Sequence, residues 1–192
     1  MARAATEADF HGTRLNNPSR LYDEYRRYPF FAERAAFIRQ RYPTASRVLI
    51  AGCGYGYLVD ELRKSGVGAW GCDIAPWATG QAAQVLGQNA QFVGQGDITS
   101  AASMATVKSQ AGLRNNQRFD VTVTEDVLTV LTEAEITAAL QAVRGISSTV
   151  LHMVTPGVPN AEHHPDLNWK SIAAWRSRCA PDVVYDVEQR TV

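Results

Sequence analysis

The 192-residue chain balances 19 Lys and Arg against 19 Asp and Glu, and 45% of its residues are hydrophobic. That balance speaks against a global pull toward nucleic acid or an anionic membrane, and no apolar run is long enough to cross a bilayer. The length suits one domain with a full core, while three widely spaced cysteines (Cys53, Cys72 and Cys179) fit no disulfide framework and point to a reducing, cytoplasmic setting. Neither a C-x-x-C nor an H-E-x-x-H pattern occurs, so no zinc site is expected, and no apolar stretch near Met1 suggests a signal peptide.

Residues 1–16 are small and polar and are expected to be mobile. Asn17-Pro18-Ser19 offers a helix start, with Pro18 suited to the first helical position. Tyr22, Tyr25 and Tyr28 then recur on one side, a stripe that reads as packing against the domain, with a substrate cage as the alternative. Pro29 interrupts this helix, residues 30–41 resume it with Phe31, Ala35 and Ile38 at helical spacing, and Pro43 ends it. Arg20, Arg26, Arg27, Arg34, Arg39 and Arg41 gather here and are expected on a solvated helix face.

An apolar run at 48–51 suits a strand of a parallel sheet covered on both faces. A helix is expected over 55–65, closed by Gly66, then a strand at 69–72, a helix at 76–86, a short strand at 90–93, a helix near 100–109 and a polar loop at 114–117. A strand at 119–124 precedes a helix at 133–143, where Thr132 and Glu135 have capping-box spacing. A strand at 148–154, a helix at 169–178 and a last strand at 183–187 complete the chain. The alternation predicts a single α/β domain over 17–192, with a helical cap at 17–46 and a core at 47–192. That core is Rossmann-like and doubly wound, a mostly parallel sheet flanked by helices. Ligands of such folds bind beyond the carboxyl ends of the strands, near the switch in strand order.

One turn stands at such an end. Val48-Leu49-Ile50-Ala51 runs into Gly52-Cys53-Gly54-Tyr55-Gly56, and the next strand closes on Cys72-Asp73-Ile74. Glycine lacks a Cβ and tolerates positive φ, so alternating glycines let a ligand approach the backbone closely. An acid at the tip of the second strand suits ribose hydroxyls. The third glycine comes one residue too early for the G-x-G-x-x-G dinucleotide fingerprint, where Tyr57 stands instead, and no Gly-Lys-Ser/Thr follows as in a Walker A loop.

The G-x-G-x-G form resembles motif I of class I S-adenosylmethionine-dependent methyltransferases, and the likeness extends over residues 47–155. The resemblance implies a cofactor site formed by Ala51, Gly52, Cys53, Gly54 and Gly56, with Asp73 and the adjacent Ile74 at the ribose. Gly96-Asp97-Ile98 looks like the family's element that meets the adenine, through the Asp97 side chain and the Ile98 backbone. The run from Phe119 to Leu128 is similar to the fourth-strand motif, which places Glu125 and Asp126 at the methionine end of the cofactor and the acceptor pocket. Thr155-Pro156-Gly157 and the segment from Asn168 to Trp175 also fit the pattern.

The sequence departs from that pattern in three places. Ile50 stands where many members carry an acid, and Thr129-Val130 replace a Glu-His pair that would offer a general base. The fold usually ends on an antiparallel strand pair, but little more than one strand fits after Cys179, so the C-terminal sheet edge is expected to be shortened or completed by a partner or a second copy. Each candidate also has a plainer reading: the glycines as a tight turn, Asp73 as a helix cap, Asp97 as a turn residue, Glu125 and Asp126 as caps, and Cys53 as a small packed residue. His163 and His164, in a polar loop near the cleft, are weak catalytic candidates beside Glu125.

Taken together, these features lead us to expect methyl transfer from S-adenosylmethionine to an O or N nucleophile of a small molecule or peptide. A nucleic-acid acceptor is disfavoured, because no Asn/Asp-Pro-Pro-Tyr/Phe motif follows the fourth strand. A non-catalytic structural or assembly protein on the same fold is the alternative.

Overall fold

The computed structural model describes residues 29–154, 168 and 170–186. The expected N-terminal segment, the tyrosine stripe, His163 and His164 lie outside the described residues.

The first described helix, α1 (Phe30–Arg41), follows Pro29 and buries Ala35 and Ile38. Strand β1 (Arg47–Ala51) leads through the glycine turn into α2 (Tyr57–Lys64). Then come β2 (Gly68–Asp73), α3 (Pro76–Val85), β3 (Val93–Gln95), α4 (Ala101–Gln110) and β4 (Phe119–Glu125). The chain continues through α5 (Glu133–Ile146), β5 (Ser147–Val154), α6 (Ile172–Cys179) and β6 (Val183–Asp186). Thr132 caps α5 in a complete capping box, its hydroxyl accepting from Glu135 N–H while the Glu135 carboxylate accepts from Thr132 N–H at 3.0 Å.

The sheet order is β3-β2-β1-β4-β5-β6, and every pair is parallel. The order reverses between β1 and β4, which makes the crevice above those two strands the switch point. Alternating side chains serve two cores. Val48, Ile50, Val121, Val123, Leu151 and Met153 face α1 and α2, where they join Ala35, Ile38, Leu58 and Leu62. Leu49, Ala51 and Val150 face the α4–α6 layer with Met104, Ile136, Leu140 and Trp175.

Several boundaries depart from the sequence reading. The third strand lies at Val93–Gln95, because residues Gly87–Phe92 coil into a 3₁₀ helix and only the segment beyond them comes level with Gly71, Cys72 and Asp73. Helix α2 starts two residues later than expected, since Gly56 holds a left-handed φ of 87° that ends the turn. Helix α5 runs on to Ile146, and α6 begins only at Ile172, where Ser171 caps it by accepting from Ala174 N–H. The sheet closes among the described residues on one parallel edge strand, β6, and not on an antiparallel pair.

Candidate functional site

The glycine turn is fixed from below by the end of β2. Gly52 N–H and Cys53 N–H both donate to Cys72 O, at 2.7 and 3.0 Å, and Gly56 N–H donates to Cys53 O at 2.9 Å. All three glycines hold positive φ, at 81°, 54° and 87°, a region costly to residues with a Cβ. At Gly52 a Cβ would land 2.1 Å from Val127 Cγ2, and at Gly56 one would land 2.5 Å from Val93 Cγ2. These two glycines therefore serve the protein's own packing as well as any ligand's approach.

Asp73, 8% exposed, organises the crevice. Its Oδ2 accepts from Gly54 N–H and its Oδ1 from Ala75 N–H, each at 2.9 Å. The carboxylate thus ties the glycine turn to the start of α3, and each oxygen keeps a further lone pair for a ligand hydroxyl. Burial raises its pKa above the ordinary carboxylate value, against the lowering by these backbone donors. Ile74 is half-buried beside it, and its carbonyl accepts from the Gln95 side chain at 3.5 Å.

Asp97 closes a local turn: its Oδ1 accepts from Thr99 N–H at 2.8 Å and from the Thr99 hydroxyl at 2.7 Å. Ile98 points into the core, 6% exposed, so its backbone is the part left for a ligand. Cys53 is buried against Gly71, and burial beside Asp73 raises its thiol well above the ordinary range, which removes it as a nucleophile.

At the end of β4 the register Ala51↔Thr124 brings Glu125 level with Gly52. Glu125 Oε1 accepts from Arg34 Nε at 2.9 Å, and both side chains are 15% exposed. Burial lifts the Glu125 carboxyl above its ordinary value, Arg34 pulls it down, and Asp126 pushes it up. Arg34 also lies 4.7 Å over the Phe30 ring. The expectation of a solvated face therefore fails at Arg34: helical periodicity turns it inward, toward a carboxylate 91 residues away in sequence. Asp126 adopts φ of 51°, its N–H donates to Met153 O at 2.9 Å, and Thr129 donates its hydroxyl to the Asp126 carbonyl. That bend swings Val127 back over Gly52. Val130, where the resemblance would place a histidine, is 61% exposed.

Beneath the site runs a polar chain that the sequence reading missed. His152 is fully buried in β5, with Nδ1 at 2.8 Å from Thr124 Oγ1 and Nε2 at 3.1 Å from Asp182 Oδ2. Arg144 donates to the same Asp182 oxygen at 3.0 Å. No motif announces this histidine; the signal is its place in an apolar strand facing Thr124.

A shallow cavity of about 350 Å³ lies elsewhere, lined by Arg39, Tyr42, Pro43, Ala45 and Val67. Those residues precede β1 and β2, so it opens at the opposite end of the strands from the glycine turn.

A parallel sheet with a glycine turn, a buried acid on the neighbouring strand and a crevice at the switch point defines an α/β protein built to bind a nucleoside-containing cofactor. The chain belongs to the family described as a methyltransferase domain, whose model matches residues 22–178. This is the class I fold, whose enzymes use S-adenosylmethionine. The fold is shared with DesVI of Streptomyces venezuelae, at 21% identity and a TM-score of 0.51, covering 77% of this chain and 57% of that one. It is also shared with magnesium protoporphyrin IX methyltransferase (ChlM) of Synechocystis PCC 6803 with bound SAH. That match has 18% identity and a TM-score of 0.57, covering 78% and 69% of the two chains. The chain thus spans little more than half the length of DesVI. No curated protein matches it in sequence.

Proposed function

We propose that the protein transfers the methyl group of S-adenosylmethionine to an oxygen or nitrogen nucleophile of a small molecule or peptide, in a cytoplasmic setting. When bound, the cofactor supplies a methyl group on a sulfonium already activated for displacement, so the protein's task is to bind, orient and exclude water. The residues present suit it. The backbone from Ala51 to Gly56 forms the floor, through Gly52, Cys53 and Gly54, and the amino end of α2 lies directly behind. Asp73 uses its remaining lone pairs for the ribose hydroxyls. Ile74, Asp97 and Ile98 border the base, and Glu125 with Asp126 borders the amino-acid end and the acceptor.

The observation that carries this reading is the Asp73 carboxylate, buried at the switch point and bonded to Gly54 and Ala75. Burying an ionised carboxylate is costly, and a fold that needed only a turn here would not require one. The test is mass spectrometry of small molecules retained on the purified protein, followed by a labelled-methyl screen of amine, hydroxyl and peptide acceptors. Retained S-adenosylmethionine or S-adenosylhomocysteine and labelled product support the proposal. A folded protein that binds neither compound overturns it.

A further inference from the structure

We propose that Glu125 selects an amine that arrives as its ammonium, with Arg34 as the positioning residue that fixes the Glu125 carboxylate at the carboxyl end of β4. The bound ammonium gives one proton to water, the freed lone pair forms the N–C bond as the S–C bond breaks, and S-adenosylhomocysteine leaves. The inference rests on the methyl-transfer reading and names the acceptor class of that same site. Glu125 stands at the carboxyl end of β4, level with Gly52, where an acceptor must come to meet the cofactor. Arg34 holds one oxygen only: its Nε meets Oε1 at 2.9 Å, and Oε2 has no hydrogen-bond partner among the described residues. That oxygen reaches solvent through the exposed part of the side chain, where a ligand replaces water on it, and a charged N–H donor does so more strongly than a neutral hydroxyl.

The surroundings carry the same sign. Among the described residues, Asp73 and Glu125 close β2 and β4, Asp97 follows β3, and α1 brings Arg34, which pairs with Glu125. Such a field draws cations in and turns anionic acceptors away. Arg34 acts through Glu125. Its charge favours the ionised carboxylate in a site where burial works against ionisation, and its Nε fixes which oxygen is left open. Among the described residues, the charged groups facing Glu125 are Arg34 from α1 and Asp126 from its own strand end.

The test uses the whole protein saturated with S-adenosylhomocysteine, which cannot turn over, and three matched probes: benzylamine, benzyl alcohol and benzoate. Ligand-observed NMR titrations give their affinities, and calorimetry first establishes that S-adenosylhomocysteine binds. We expect benzylamine to bind roughly tenfold more tightly than benzyl alcohol and benzoate to bind weakest. In Glu125→Gln, held at an S-adenosylhomocysteine concentration that calorimetry shows to saturate the variant, the preference is erased. In Arg34→Gln the pH below which benzylamine binding is lost moves upward, because the carboxyl protonates more readily without its counter-charge, and Arg34→Lys restores it; a merely structural contact would not move that pH. Benzoate binding best, equal binding of the three probes to the wild-type protein, or an unchanged preference in folded Glu125→Gln overturns the inference while leaving methyl transfer in place. Failure of S-adenosylhomocysteine to bind overturns the methyl-transfer reading and this inference with it.

Discussion

Replacing Asp73 by Asn separates binding from folding. The carboxamide keeps the shape of the side chain but has one acceptor oxygen. With that oxygen on Ala75 N–H, its amino group faces Gly54 N–H, and the 2.9 Å bond to Gly54 is lost. A hydrogen bond to a charged acceptor is worth about 1.5–3 kcal/mol. Against this, the variant no longer buries a charge, and the raised pKa of Asp73 reflects burial outweighing the donors around it. The two effects oppose each other, so we expect a stability change within about 1 kcal/mol, a shift of roughly 2–4 °C in melting temperature. The sign follows from linkage. An acid whose folded value lies above its unfolded one stabilises the fold below that window and loses this contribution as pH rises through it. The variant lacks this dependence, so its stability gains on the wild type between pH 4 and pH 7. Cofactor affinity has no such offset. The ribose hydroxyls lose their charged acceptor and Gly54 loses its tether, and binding should weaken by a factor on the order of 100. Calorimetry with S-adenosylhomocysteine and thermal melts at both pH values measure the two effects. Affinity within threefold of wild type in the folded variant would refute the role given to this carboxylate.

Gly52→Ala places a Cβ 2.1 Å from Val127 Cγ2 at a φ of 81°; we expect a loss of about 2–4 kcal/mol in urea denaturation, partly restored by adding Val127→Ala, with a coupling energy above 0.5 kcal/mol in the double-mutant cycle. His152→Ala removes a fully buried side chain between Thr124 and Asp182 and should cost roughly 3–5 kcal/mol in the same assay. Asp182 is held below the ordinary carboxylate value by His152 and Arg144, against its burial; its contribution is complete above the unfolded value and is lost as pH falls through the folded one, so the wild type should lose stability more steeply than Asp182→Asn below about pH 4. Cys53, Cys72 and Cys179 are buried, with Cys72 pushed up to about 12 and Cys179 to about 11; iodoacetamide at pH 7.5 should leave all three unlabelled in the native protein and label all three in urea, and rapid native labelling would contradict their packing.

The order of elements was legible because buried parallel strands are short apolar runs between helical patterns, and because glycines and an acid mark a strand end in any α/β crevice. The third strand was misplaced because Ala90, Phe92 and Val93 suggest a short strand, whereas Ala90 and Phe92 belong to the 3₁₀ helix Gly87–Phe92 and pairing begins only at Val93. The plain reading of Asp97 as a turn residue describes its contacts with Thr99. The roles of Arg34, expected on a solvated face, and of Val127 were not legible for a physical reason: each acts on a residue distant in sequence, and only the folded chain sets Arg34 on Glu125 and Val127 on Gly52. His152 was hidden by its apolar strand, while His163 and His164 drew attention because they are adjacent.

The most direct test is an amide NMR titration of isotope-labelled protein with S-adenosylhomocysteine. The account predicts that Gly54, Gly56, Asp73 and Ile98 shift and saturate at one ligand per chain, while Arg39, Tyr42 and Val67 at the opposite strand ends stay still. Shifts confined to that far cavity, or none at all in a folded sample, would contradict it.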